Sequence, residues 1–64
     1  MPLSTLINLV NTEVELNLFD EYDFHIGSFN RDDVKTRYYN CKILYMNPYD
    51  AGKIYVSIDT ANLY

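Results

Sequence analysis

The sequence predicts an α+β domain: a short N-terminal helix packed on one face of a four-stranded antiparallel sheet, made of two hairpins joined by a short helical turn. Three observations lead there. Leu3, Leu6, Ile7 and Val10 recur at i, i+3, i+4 and i+7, the apolar stripe of a helix. From Val14 the period drops to two, with Val14, Leu16 and Leu18 alternating with Glu13, Glu15 and Asn17. Turn-forming clusters at Asp20–Asp23 and Pro48–Gly52 then divide the later apolar runs.

Each element follows in order. Ser4 is positioned to cap the helix and Asn11 to stop it. The helix spans about two turns, so packing rather than propensity must hold it. The strand at Val14–Leu18 turns at Asp20–Asp23 into a second one. There Phe24 and Ile26 are expected on the inner face, with His25, Gly27 and Phe29 on the outer. Gly27 inside a strand signals a bulge or a close approach by a ligand or second chain. Asn30 precedes two acids, Asp32 and Asp33, as a helix start prefers, and Val34 and Tyr38 would anchor one turn. A third strand is expected from Cys41 to Met46. Its inner face is ambiguous, because Ile43 and Tyr45 compete with Leu44 and Met46. The fourth, Lys53–Ile58, directs Ile54, Val56 and Ile58 inward. Residues 59–64 show no period and are expected to fray or dock.

The 64 residues leave room for one domain, spanning 1–64. Such a length buries a small core, so many chains of this size add disulfides, metals or oligomerisation. Cys41 is the only cysteine, which excludes an intrachain disulfide and suits a reducing compartment. No apolar run approaches a membrane span, and Met1–Thr5 lacks a basic region and a signal core. A cytoplasmic, self-associating protein is the expectation. The net charge of −4 disfavours bulk DNA or RNA binding, since phosphate backbones attract Lys and Arg. An acidic surface suits a basic partner.

The chemistry-bearing residues point to binding. Asp20, Glu21, Asp23 and His25 form the one cluster of oxygen and nitrogen ligands, but no calcium loop and no second histidine accompany them. A solvated turn is the simpler reading, and no metal or cofactor is expected. His25 lacks a nucleophile in any familiar spacing, and Cys41 beside Lys42 reads as a small buried thiol. No Gly-rich phosphate loop exists, so catalysis is not expected.

Seven Tyr and three Phe are the unusual content. Tyrosine favours sites with one dry and one wet end, which describes interfaces and pockets. One helix covers one face of a sheet, which would leave Phe19, His25, Phe29 and Tyr55 outward with Tyr45 or Met46. The simpler alternatives are that the C-terminal tail folds over that face, and that Tyr38 and one other tyrosine are core while the rest cover sheet surface. All five basic residues lie between Arg31 and Lys53, interleaved with Tyr38, Tyr39, Tyr45 and Tyr49.

The run Leu3-Ser4-Thr5-Leu6-Ile7-Asn8-Leu9-Val10-Asn11 leads straight into Thr12-Glu13-Val14-Glu15-Leu16. A stem-turn-stem at Asp20–Phe29, then Arg31-Asp32-Asp33-Val34, Lys42–Pro48 and Gly52–Ile58 complete the chain. This layout resembles small uncharacterised proteins encoded by phages and prophages of Gram-positive bacteria. The resemblance covers most of the chain and supplies no catalytic residues. It implies an accessory protein that blocks host defences by inhibiting a protein or sequestering a nucleotide signal.

Two binding readings follow. In the first, the chain inhibits a host defence protein through Asp20, Asp23, Phe19, His25, Phe29, Tyr49 and Tyr55. In the alternative it is an oligomeric sponge. There a nucleotide between subunits stacks on Tyr39, Tyr45 or Tyr55 and is neutralised by Arg31, Arg37 or Lys53. A third reading is a structural or regulatory protein that pairs with itself through the open face.

Overall fold

The helical stripe forms as its spacing requires. In the computed structural model, which describes residues 1–63, helix α1 runs Leu3–Leu9 and buries Leu3, Leu6 and Ile7. Val10 follows as C-cap and packs partly buried on the same core. The expected Ser4 cap is not made, because the helix starts earlier. Pro2 holds the N-cap position without a side-chain hydrogen bond. The Leu3 N–H instead donates to the Cys41 carbonyl and the Ser4 N–H to that of Tyr39, each at 2.9 Å. Later chain thus satisfies donors that a capping side chain would otherwise take.

Strands β1 (Glu15–Phe19), β2 (His25–Asn30), β3 (Ile43–Asp50) and β4 (Lys53–Ile58) form one sheet in the order β2-β1-β4-β3. Both hairpins are antiparallel, but β1 and β4 pair in parallel. The sheet is therefore mixed, which corrects the antiparallel expectation. Burial gives the reason. Leu16 and Leu18 of β1 and Val56 and Ile58 of β4 are all fully buried. The two strands with the most apolar inner faces take the centre, where α1 covers them. Residues 31–42 make the crossing that this order needs, about the dozen residues a crossover connection requires. Two 3-10 turns, Arg31–Asp33 and Thr36–Tyr38, carry it. Val34 and Tyr38 are both buried, but in successive turns rather than one helical turn. Asn30 does not cap the first. Its amide donates to the Thr12 carbonyl at 2.9 Å.

Register shifts reset the faces of the edge strands, one in β2 and two in β3, the second of these between Pro48 and Asp50. In β2, Leu18 pairs with Gly27 and Phe19 with His25, so Ile26 is the extra residue. That slip puts Gly27 and Phe29 on the helix side, opposite Leu18 and Leu16. Phe29, expected outward, packs instead against the core. Phe24, expected inward, lies before the strand and is 71% exposed. The close approach at Gly27 is internal: a Cβ there would lie 2.7 Å from the Phe29 ring. In β3 the register shifts between Ile43 and Tyr45, which removes the ambiguity of that strand. Ile43 and Met46 pair with the inward Ile58 and Val56, and Tyr45 pairs with the outward Ser57. Strand β3 also runs on through Pro48, where a turn was expected. Pro48 is tolerated because β3 is an edge strand, and the turn tightens to Ala51-Gly52 with Gly52 at φ 71°.

The tail docks. The Asp59 N–H donates to the Lys42 carbonyl at 2.9 Å. Thr60 is 2% exposed and donates to both carboxylate oxygens of Glu21, from its N–H at 2.9 Å and its hydroxyl at 2.5 Å. Leu63 packs on the core. The expectation for Tyr64 lies outside the described residues. Among the described residues, no helix is long and apolar enough to cross a membrane.

Candidate functional site

Strand alternation builds the site. α1 and the 31–42 crossing cover the face that carries Leu16, Leu18, Val56 and Ile58. The opposite face carries Glu15, Asn17 and Phe19 of β1, and Lys53, Tyr55 and Ser57 of β4. Residues 59–63 pack toward Glu21, Lys42 and the core rather than across it.

One end of this face is aromatic. Phe19 pairs with His25 on β2, while Tyr55 lies diagonal to Phe19 and to Tyr45, both of which register with Ser57. Diagonal neighbours are within reach of aromatic side chains. The rings accordingly form a row across all four strands. His25 tilts against Phe19 at 4.9 Å between centroids, Phe19 stacks on Tyr55 at 4.4 Å, and Tyr55 meets Tyr45 edge-on at 5.8 Å. The other end is polar. Ser28 donates to Asn17 at 2.6 Å, and Asn17 donates to Glu15 at 3.2 Å.

Asp23 closes the aromatic end. The turn before it is tied by Asp20, whose Oδ1 accepts the N–H groups of Tyr22 and Phe24, both at 2.9 Å. This leaves Asp23 in a left-handed conformation at φ 68°, which Asp tolerates better than most residues. The Tyr55 hydroxyl donates to Asp23 Oδ1. That bond, followed by burial and the charge of Asp23, pushes the Tyr55 phenol up to about 12. Tyr55 therefore stays protonated at neutral pH. Phe19, Asp23, Tyr45, Asn47, Tyr49 and Tyr55 line an open depression of ≈ 560 Å³.

The predicted site residues divide accordingly. Phe19, Asp23, His25, Tyr49 and Tyr55 gather at this end of the open face. Asp20 sits beside them as the tie of the turn, and Phe29 lies on the covered side. The alternative ligand set is split. Tyr45, Tyr55 and Lys53 share the open face. Arg31 donates to the Val10 carbonyl at 2.9 Å and lies with Tyr39 beside α1. Arg37 lies over the Tyr38 ring at 4.8 Å from its centroid, in a different cleft beside Asn40, Cys41 and Lys42. Burial and the charges of Asp59 and Glu21 push the Cys41 thiol up, away from nucleophilic use. Asn47 was not singled out from sequence. Its only signal was its alternation with Tyr45 and Tyr49 in a longer strand.

No protein-family model, curated protein or solved structure matches this chain.

Proposed function

We propose that the chain is a binding protein whose open sheet face engages a partner protein presenting basic side chains. One observation carries the reading: a row of four rings crosses an uncovered face beside a carboxylate that one of them, Tyr55, holds. Tyr45 and Tyr49 are 56% and 54% exposed, more than tyrosines placed only for packing need be. Tyrosine with a charged rim is the chemistry of protein interfaces. The charge of −4 and the Asp23 carboxylate at the aromatic end suit a basic surface, whereas Glu15 and Asp50 at the other end flank Lys53 in register. Nucleic acid fits poorly, because stacking platforms need a basic groove for phosphates. In the phage context that the sequence resemblance implies, such a surface serves to occlude a host defence protein. A nucleotide sponge would need Arg31 or Arg37 of one copy to reach Tyr45 and Tyr55 of another.

The test compares the native chain with Tyr45→Ala/Tyr49→Ala as bait in host lysate. Both side chains are exposed, so the fold should tolerate their loss. A protein that binds the native chain, is lost with the variant and dissociates as salt rises supports the proposal. Capture that ignores the variant, or a complex holding only copies of this chain, overturns it. Thermal stabilisation by a nucleotide, lost in Tyr55→Ala, would favour the sponge instead.

A further inference from the structure

We infer that the depression at the aromatic end of the open face is a receptor for a guanidinium group, filled by an arginine side chain of the partner. This rests on the protein-binding reading above and names the chemistry that the surface takes.

Four of the six lining side chains are aromatic: Phe19, Tyr45, Tyr49 and Tyr55. A cation over such rings is attracted by the negative face of the π-system, and several rings around one space add their contributions. The fifth is Asp23, whose carboxylate supplies the charge. Among the described residues the one ion pair is Arg31–Asp32 at 3.5 Å, on the other side of the molecule, so no cation of the described chain neutralises Asp23. Tyr55 holds Asp23 through Oδ1, which orients the carboxylate and leaves Oδ2 without a hydrogen-bond partner among the described residues. The sixth, Asn47, adds an amide that can accept an N–H.

Shape selects within the cations. The depression is open, ≈ 560 Å³; its Phe19 and Tyr55 rings stack on each other at 4.4 Å between centroids, while Tyr45 and Tyr49 are more than half exposed. A planar guanidinium can stack on an exposed ring such as Tyr45 or Tyr49 and still direct N–H groups at a carboxylate of the same depression. A compact, strongly hydrated ammonium gains less from either contact. An anion is excluded by Asp23, and a neutral apolar side chain would leave that carboxylate facing it without compensation.

The experiment is an NMR titration of the isolated chain with N-acetyl-arginine amide, against N-acetyl-citrulline amide as the neutral isostere. The expected result is movement of the Phe19, Tyr45, Tyr49 and Tyr55 ring resonances with arginine and little with citrulline. Asp23→Asn should weaken arginine binding about tenfold, as the loss of one charge-assisted hydrogen bond would. Tyr45→Leu, which keeps an apolar side chain and removes the ring, should weaken it while leaving backbone resonances in place. Equal response to citrulline, or an arginine response elsewhere on the chain, overturns the inference. If the rings ignore arginine while the lysate partner is still lost in Tyr45→Ala/Tyr49→Ala, the protein-binding reading stands and the guanidinium receptor falls. If the rings respond as expected but no partner depends on them, the receptor stands and the partner reading falls.

Discussion

Asp23→Asn isolates the charge that shapes the aromatic end of the sheet. Asp23 sits at φ 68°, a conformation that asparagine adopts as readily as aspartate, so the turn should survive. What changes is the environment of Tyr55. Its hydroxyl donates to Asp23 Oδ1, and ionising it would place a phenolate against a carboxylate. The phenol consequently rises from 10.0 to about 12, roughly a hundredfold in acidity. At about pH 11 an unperturbed phenol is some nine-tenths ionised, whereas Tyr55 would be about one-tenth ionised. An asparagine can offer an N–H to the phenolate, so the variant should bring Tyr55 back toward 10.0. The assay is a pH titration of the Tyr55 ring carbon by NMR, with Tyr55→Phe to assign it. The linkage has a definite sign. A phenol raised on folding stabilises the fold fully below 10.0, and that contribution disappears as pH rises through about 12. The melting-temperature gap between native chain and variant should therefore narrow across that interval. A native Tyr55 that titrates at 10.0 while the sheet persists would refute the reasoning.

Two further outcomes test the packing. Gly27→Val places a Cβ 2.7 Å from the end of the Phe29 ring, so the ring must swing off the core. Overpacking of this kind, partly offset by the better strand propensity of valine, should cost about 1–2 kcal/mol in denaturant unfolding. In a Phe29→Ala background the same change should cost nothing; an unchanged penalty there would show that Phe29 is not the obstacle. Glu21 is held below its usual range chiefly by the Thr60 hydroxyl; burial opposes this, and smaller hydrogen-bond contributions, the Thr60 N–H first among them, offset the burial. A carboxyl depressed on folding contributes stability above its free value of 4.5, which is lost as pH falls through the lower folded value. Glu21→Gln should lower the melting temperature at neutral pH and converge with the native chain in acid. A constant gap from neutral to acid pH would exclude a charge-dependent staple.

The sequence by itself determined the parts. The stripe Leu3, Leu6, Ile7 and Val10, the alternations at Val14–Leu18 and Ile54–Ile58, and two turn clusters were enough to place α1, both hairpins and the core residues Leu16, Leu18, Val56 and Ile58. They also placed Phe19, His25 and Tyr55 on an open face, because in a regular strand the side of a side chain follows from its parity alone. Only the tertiary structure decided how the parts meet. The parallel β1–β4 pair joins strands far apart in the chain, and no local pattern distinguishes it from an antiparallel neighbour. The bulges at Ile26 and Leu44 each shift parity by one, which moved Phe29 inward and Tyr45 outward although the apolar pattern permits either. The alignment of His25, Phe19, Tyr55 and Tyr45 depends on those registers. So does the bond from Tyr55 to Asp23, which links positions 32 apart in sequence. Periodicity is a property of one segment, whereas a site on a sheet is a property of how several segments are registered against each other.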